Sequence, residues 1–239
     1  MYTRYKMKKL GITKKMAHHH IETSLVDDFQ KLFESKEFIT KLYETYKLYI
    51  ENGARSSKKV DFFHAFIKDK LDNVFNGNTK YSVQLEKNIP SMTASGFKKC
   101  DVVVYKETEP YIVFPVKLVM TNYKQNKNNS WENLTGEVIH LKMANPLLHI
   151  VPINIYMDKT PYLKSNKIIS RFEHITYNDI KHYDILMTQN YVYDYINYII
   201  NIEHNEIDIG DEFSKLPNIL YFDKLTPYRT FRQILHKLL

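Results

Sequence analysis

Two residue types that can hydrolyse a phosphodiester stand in neighbouring strand-like segments, Asp101 in KKCDVVVYK and Lys117 in YIVFPVKLVM. A short connection would bring the two strands side by side. A carboxylate can hold a hard cation such as Mg²⁺, which polarises a phosphate and lowers the pKa of a bound water. A lysine ammonium can orient that water or stabilise the developing negative charge. The plainer alternative is that Asp101 is a residue of a strand end and Lys117 reaches out from a sheet edge.

The elements that must position these residues follow from the apolar spacing. Helices are predicted at 22–50, where Gly53 in ENGARSS marks the stop, at about 58–75 after a cap at Ser56 or Ser57, and at 131–145. Strands are predicted at 81–89, 98–106, 111–120 and 147–157, with a polar loop at 121–130. Further helices are predicted at 178–189, 191–203 and 226–239. We therefore expect an α/β fold with a mixed central β-sheet flanked by helices, and helical additions at both termini.

The order of two strands, a helix and another strand around Asp101 and Lys117 resembles the PD-(D/E)XK nuclease superfamily, in which restriction endonucleases are found. The resemblance covers about residues 58–157, and its motif is short. It implies a restriction-endonuclease-like core at 58–157, a basic arm and helix at 1–57, and mostly helical cover at 158–239, together forming one domain. It also implies a divalent metal, Mg²⁺ or alternatively Mn²⁺, and DNA as the substrate.

One position departs from the family pattern. The family has an acid two residues before the lysine, and this chain has Pro115 there. Some restriction endonucleases supply the acid from the following helix, so Glu132 or Glu137 is expected to replace it, with Glu132 favoured because it lies nearer the predicted helix start. The competing explanation is an inactive site in a protein that only binds DNA. Glu86, on the first predicted strand, is a further candidate ligand for the metal.

The chain is basic, with a net charge of +7 and a pI of about 9.1, which favours a polyanionic partner. Lysines near the proposed site could neutralise phosphates, Asn and Gln side chains could read base edges, and an aromatic ring could stack on bases. The predicted nucleic-acid-binding residues are Lys58, Lys59, Lys98, Lys99, Tyr123, Lys124, Gln125, Asn126 and Asn129.

Other features limit the class of protein. Cys100 is the only cysteine, so no disulfide can form within the chain and a reducing, cytoplasmic setting is expected. No apolar run approaches the length of a membrane span, and no secretory signal is recognisable. The first hypothesis is a metal-dependent endodeoxyribonuclease acting on double-stranded DNA, with a homodimer as one arrangement that reaches both strands. An inactive DNA-binding or regulatory protein is the second, and a nuclease for RNA or branched DNA is the third.

Overall fold

The computed structural model of the chain describes residues 36–53, 56–164, 166–203, 207–215 and 219–222, with 234–235 and 237–238 near the end. The chain divides into two compact units, residues 1–38 and 39–239. The basic arm and the first part of the helix predicted at 22–50 lie outside the described residues. The predicted core, 58–157, lies entirely within the larger unit. Within the described part of the chain, none of the helices has both the length and the apolar character needed to cross a membrane.

The secondary structure alternates helices with a series of strands. The helices are α1 (36–52), α2 (Lys58–Val74), α3 (Tyr123–Ala144), α4 (Tyr177–Ile180) and α5 (Asp184–Thr188), with a 3₁₀ turn at Lys181–Tyr183. The strands are β1 (Tyr81–Pro90), β2 (Phe97–Lys106), β3 (Glu109–Phe114), β4 (Val116–Val119), β5 (His149–Ile150), β6 (Ile153–Met157), β7 (Lys159–Leu163), β8 (Ile169–His174), β9 (Ile196–Glu203) and β10 (Ile219–Phe222). The α/β class and the mixed sheet flanked by helices are therefore confirmed.

The strands form two four-stranded sheets in the orders β1-β2-β3-β5 and β10-β9-β6-β4, and a separate β7-β8 pair. The meander β1-β2-β3 is antiparallel, whereas β4 pairs with β6 and β6 with β9 in parallel. A parallel pair needs a long crossover connection, and α3 provides it between β4 and β6. Helix α2 packs on β1 and β2, and Val138 and Leu141 of α3 lie in one core cluster with Cys100 and Val103 of β2, so both helices cover the meander.

The two larger sheets meet at a pair of prolines. The parallel register of β3 with β5 (Val113 with Ile150) continues unchanged in β4 with β6. This register places Pro115 opposite Pro152. Proline has no N–H to donate, so the regular ladder breaks there. Backbone bonds on either side, from Val151 N to Val113 O at 2.9 Å and from Ile153 N to Pro115 O at 2.8 Å, keep the strands together.

A second irregularity lies at Glu86 of β1 and Asp101 of β2, which are aligned with Pro115 across the sheet. The β1–β2 register is the same on both sides of Glu86 and Asp101, which oppose each other, but Glu86 has φ of 56°. Cys100 and Val103 lie in the same core cluster, although residues three apart in a regular strand point to opposite faces. The regular alternation of side chains along β2 is therefore interrupted at Asp101, so that Cys100 and Val103 face the same side of the sheet. Left-handed backbone at a residue other than glycine is strained, and such strain concentrates at functional sites.

Three predictions about secondary structure were wrong. The segment 121–130 is not a loop, because α3 begins at Tyr123, whose buried ring anchors the first turn in the core. Residues 191–203 are not helical: β9 runs from Ile196 to Glu203, buried on both faces in the parallel sheet. The cover at 158–239 contains β7, β8, β9 and β10 rather than mostly helix. Segment 178–189 is broken helix, and most of 226–239 lies outside the described residues.

Candidate functional site

Asp101 lies where the irregularities of the sheet meet. One residue beyond the pair Val102–Phe114, the β2–β3 register places Asp101 opposite Pro115. The backbone N–H of Val116 donates to Asp101 Oδ2 at 2.7 Å. Burial raises the pKa of Asp101 above its ordinary value, and this hydrogen bond opposes the rise. The carboxylate is thus held against β4, immediately after the proline that replaces the expected acid.

Glu86 and His64 join Asp101 from two other elements. His64, on α2, is 2% exposed, and its Nδ1 lies 3.1 Å from Glu86 Oε1. Lys99 Nζ lies 2.6 Å from Glu86 Oε2. Burial acts to raise the pKa of Glu86, but hydrogen bonds from Lys99 and His64 outweigh it, so this pKa is lowered. Glu86 therefore stays ionised beside Asp101.

Helix α3 adds a second carboxylate through Glu137. Burial raises the pKa of Glu137, the charge of Asp101 raises it further, and the charges of Lys98 and Lys117 lower it. Lys98 Nζ lies 3.3 Å from Glu137 Oε2, while Lys117 on β4 is exposed. Glu137 is therefore close enough to both Asp101 and Lys117 for their charges to act on it.

The structure distinguishes Glu137 from Glu132, the two acids of α3 that were expected to replace the acid missing at position 115. Glu137 is partly buried and lies by the cluster, whereas Glu132 is exposed. No contact of Glu132 with Asp101, Glu86 or Lys117 is found among the described contacts. Glu132 was favoured for its position near the start of the helix predicted at 131–145, but α3 begins at Tyr123 and Glu132 is well inside it. The geometry favours Glu137 in the role proposed for either residue.

Two residues expected to bind nucleic acid are held inside the protein. Tyr123 is 3% exposed, and its hydroxyl donates to Asp179 O, so its ring is unavailable for stacking on bases. Lys59 is 8% exposed, with its ammonium 2.7 Å from Ser56 O and over the ring of Tyr49. The expectation fails at these two positions because each side chain also packs on the apolar face of its helix. The other expected residues on α2 and α3 are exposed: Lys58, Lys124, Gln125, Asn126 and Asn129.

A buried amide pair lies next to Lys117 across the sheet. Lys117 on β4 is in register with Asn154 on β6, which is in register with Asn197 on β9. Asn154 Nδ2 donates to Asn197 Oδ1 at 2.8 Å, and the two residues are 1% and 8% exposed. Asn154 Oδ1 and Asn197 Nδ2 have no hydrogen-bond partner among the described residues. The register therefore places a buried polar pair beside Lys117 in an otherwise apolar strand region.

Three side chains of the site are close enough together that they could hold a divalent cation. One ligand atom from each of His64, Glu86 and Asp101 lies within 4.8 Å of the other two. Ligands of one ion lie at most about twice the metal–ligand bond length apart, roughly 4–4.5 Å, so a slight closure would suffice. The other ring nitrogen of His64, Nε2, is buried without a partner among the described residues. His64 was missed by the sequence analysis because it falls on the apolar face of α2; its only signal was a polar residue at an apolar position.

Comparisons with models of protein families, with curated proteins and with solved structures gave no significant match.

Proposed function

We propose that this chain is a metal-dependent nuclease that hydrolyses phosphodiester bonds of double-stranded DNA. One observation carries the proposal: the Asp101 carboxylate lies in a cluster with Glu86 and His64 whose ligand atoms are within 4.8 Å of one another, and it accepts a hydrogen bond from Val116 on the strand that carries Lys117. The family pattern needs a second acid between an aspartate and a lysine on adjacent strands. Pro115 cannot supply it, and we propose Glu137 of α3 as the replacement because its charge interacts with those of Asp101 and Lys117.

The order of the elements supports the same proposal. An antiparallel meander carries Asp101, the next strand segment carries Lys117, and helix α3 then crosses to the parallel strand β6. This is the order that the resemblance to PD-(D/E)XK nucleases implies, over the same part of the chain. The proposal takes this core to be restriction-endonuclease-like.

The chemistry assigned to each side chain follows from its position. A bound Mg²⁺ or Mn²⁺ would polarise the scissile phosphate and lower the pKa of a water. Asp101 and Glu86 would hold this ion through their carboxylates, with Glu137 completing the acidic set. Lys117 is exposed at the rim, where its ammonium can offset charge that develops on the phosphate in the transition state.

The substrate proposal rests on charge. The chain has a net charge of +7, and Lys58 and Lys124 are exposed in the first turns of α2 and α3. Such cations release counterions from a nucleic-acid backbone when they bind it. Double-stranded DNA is therefore the proposed substrate. A homodimer would let two sites reach both strands, and the single buried Cys100 fits a cytoplasmic setting.

The test is an incubation of purified protein with plasmid and with long genomic DNA in Mg²⁺, in Mn²⁺ and in EDTA. Asp101→Asn and Lys117→Ala should each lose at least about a hundredfold in cleavage rate. Lys87→Ala, an exposed lysine on β1, is the matched control and should cleave like the wild type. Cleavage that survives EDTA, or that survives both variants, would rule out this site as the source of activity.

A second candidate is a DNA-binding protein without catalysis. Lys99 and Lys98 already neutralise Glu86 and Glu137, an arrangement that is stable without a cation. This candidate predicts retention of DNA on a gel in EDTA and no cleavage under any metal condition. The same incubations decide between the two, because the nuclease requires metal-dependent product.

A further inference from the structure

We propose that His64 makes the metal site selective for a first-row transition ion, with Mn²⁺ as the representative, over Mg²⁺. The inference rests on the proposed function only for the location of the site. It concerns which ion the residues hold, and it can be tested without any nucleic acid.

Burying the imidazole of His64 in α2 lowers the stability of the fold unless both ring nitrogens have binding partners. It is 2% exposed on a helix face that otherwise carries Phe63 and Ile67. One ring nitrogen lies 3.1 Å from Glu86 Oε1, while the other is buried without a partner among the described residues. A buried polar atom without a hydrogen bond costs about 1–3 kcal/mol. A leucine at this position would avoid that cost, so packing alone does not account for the histidine.

The three ligands come from separate elements that the fold holds in place. His64 is on α2, Glu86 on β1 and Asp101 on β2, and Glu86 reaches the cluster through a strained backbone with φ of 56°. Its side chain lies beside both His64 and Asp101. Strain of this kind persists only where surrounding structure fixes it, which is the case on the β1–β2 ladder flanking Glu86.

The chemical nature of the donors sets the preference. Mg²⁺ is bound through oxygen atoms and retains several waters, and it dehydrates reluctantly. Imidazole nitrogen favours transition ions, while carboxylates suit hard ions and Mn²⁺. The thiol of Cys100, which would favour softer ions, lies in the core with its Sγ near Lys98 O. One nitrogen with two carboxylates therefore fits Mn²⁺ better than Mg²⁺.

The first experiment measures binding of Mn²⁺ to the full chain by electron paramagnetic resonance, with Mg²⁺ as the competitor. We expect Mn²⁺ to bind at least about tenfold more tightly than Mg²⁺. His64→Asn should weaken Mn²⁺ binding by about tenfold or more and change Mg²⁺ binding little. His174→Asn, which removes an exposed imidazole from β8, is the matched control. Equal affinity of the wild type for both ions would overturn the inference.

A second measurement covers the case in which His64→Asn does not fold. Pulsed electron paramagnetic resonance of the Mn²⁺-loaded wild type should show coupling to a directly bound nitrogen-14 nucleus. Loss of this signal in Glu86→Gln, whose side chain is 39% exposed, would place the ion in this cluster. Absence of nitrogen coupling in the wild type would refute the role of His64. Nitrogen coupling without DNA cleavage would support the metal site and reject the nuclease, and cleavage without selectivity would do the reverse.

Discussion

The N–H of Val116 donates to Asp101 Oδ2 across 2.7 Å, joining two strands just after Pro115. This bond ties Asp101 to β4, the strand that carries Lys117, at the point where the ladder is interrupted. An acid at position 115 would have placed a second negative charge opposite Asp101. Here position 115 is a proline, and the proposed second acid, Glu137, is on α3.

Glu137→Gln and Glu132→Gln form a matched pair on one helix. If Glu137 completes the acidic set, its amide variant should lose about a hundredfold or more of metal-dependent cleavage. The exposed Glu132 variant should cleave like the wild type. Plasmid nicking measured over time in Mg²⁺ and in Mn²⁺ checks both. The reverse pattern would restore Glu132 to the role expected from the sequence.

Lys99→Gln should strengthen metal binding. The Lys99 ammonium lies 2.6 Å from Glu86 Oε2, and it must leave this oxygen if a cation is to use it. Removing this competitor should raise the affinity for Mn²⁺ several-fold at low salt. Lys87→Gln, with the same change of charge on the exposed part of β1, is the control. Weaker Mn²⁺ binding by Lys99→Gln would show that Lys99 organises the site rather than competing for it.

Asp101→Asn should stabilise the metal-free protein in a pH-dependent way. Burial raises the pKa of Asp101, so the folded state holds this proton more tightly than the unfolded chain. Ionisation therefore costs folding free energy above the raised pKa, and the cost disappears as the pH falls below the ordinary value of 3.8. Asparagine can still accept from the N–H of Val116.

Thermal melting in EDTA is the measurement for this variant. The Tm of Asp101→Asn should exceed that of the wild type by on the order of a few °C at neutral pH, and the difference should vanish in acid. With Mn²⁺ present, the order should invert, because only the wild type gains stability from binding the ion. A lower Tm for Asp101→Asn in EDTA at neutral pH would contradict the assignment of a buried, costly charge.

The amide pair of Asn154 and Asn197 should act as a unit. Asn154→Leu leaves the amide of Asn197 buried without a partner, which should lower the free energy of unfolding by about 1–3 kcal/mol. The double variant Asn154→Leu/Asn197→Leu should recover much of that loss, because neither polar group remains. Urea unfolding of the wild type, both single variants and the double variant gives the coupling. Additive losses would mean that the two amides do not depend on each other.

The sequence predicted those elements whose apolar residues recur with a helical or strand spacing. Helix α2 and the hairpin strands β1 and β2 lie within a residue or two of their expected bounds. The stop at Gly53 is confirmed: its φ is 80°, and its N–H donates to Tyr49 O. Strand β9 was missed because both of its faces are buried, so its apolar run has no alternation to distinguish it from a buried helix.

The site was predicted only in part, for reasons of geometry. Asp101 and Lys117 were found because each is a charge in an apolar strand, and Glu86 was named as a further candidate. The choice of Glu132 over Glu137 depended on the start of α3. The Asn-rich stretch before Trp131 lacks helical apolar spacing, so the helix start at Tyr123 was hidden. His64 could not be identified from spacing alone, because a buried histidine on an apolar face has the same pattern as a core residue.

The order of strand pairing has a consequence for biosynthesis. Strands β1, β2 and β3 pair with one another in chain order, whereas the pairs β3–β5, β4–β6 and β6–β9 each join segments about forty residues apart. Local pairs form faster than distant ones, so Glu86 and Asp101 should meet early, while Glu137 joins them only when α3 packs on the meander. The acidic set would stay incomplete on the ribosome until Glu137 arrives. If the proposed nuclease function holds, a growing chain would lack cleavage activity until α3 has packed on the meander.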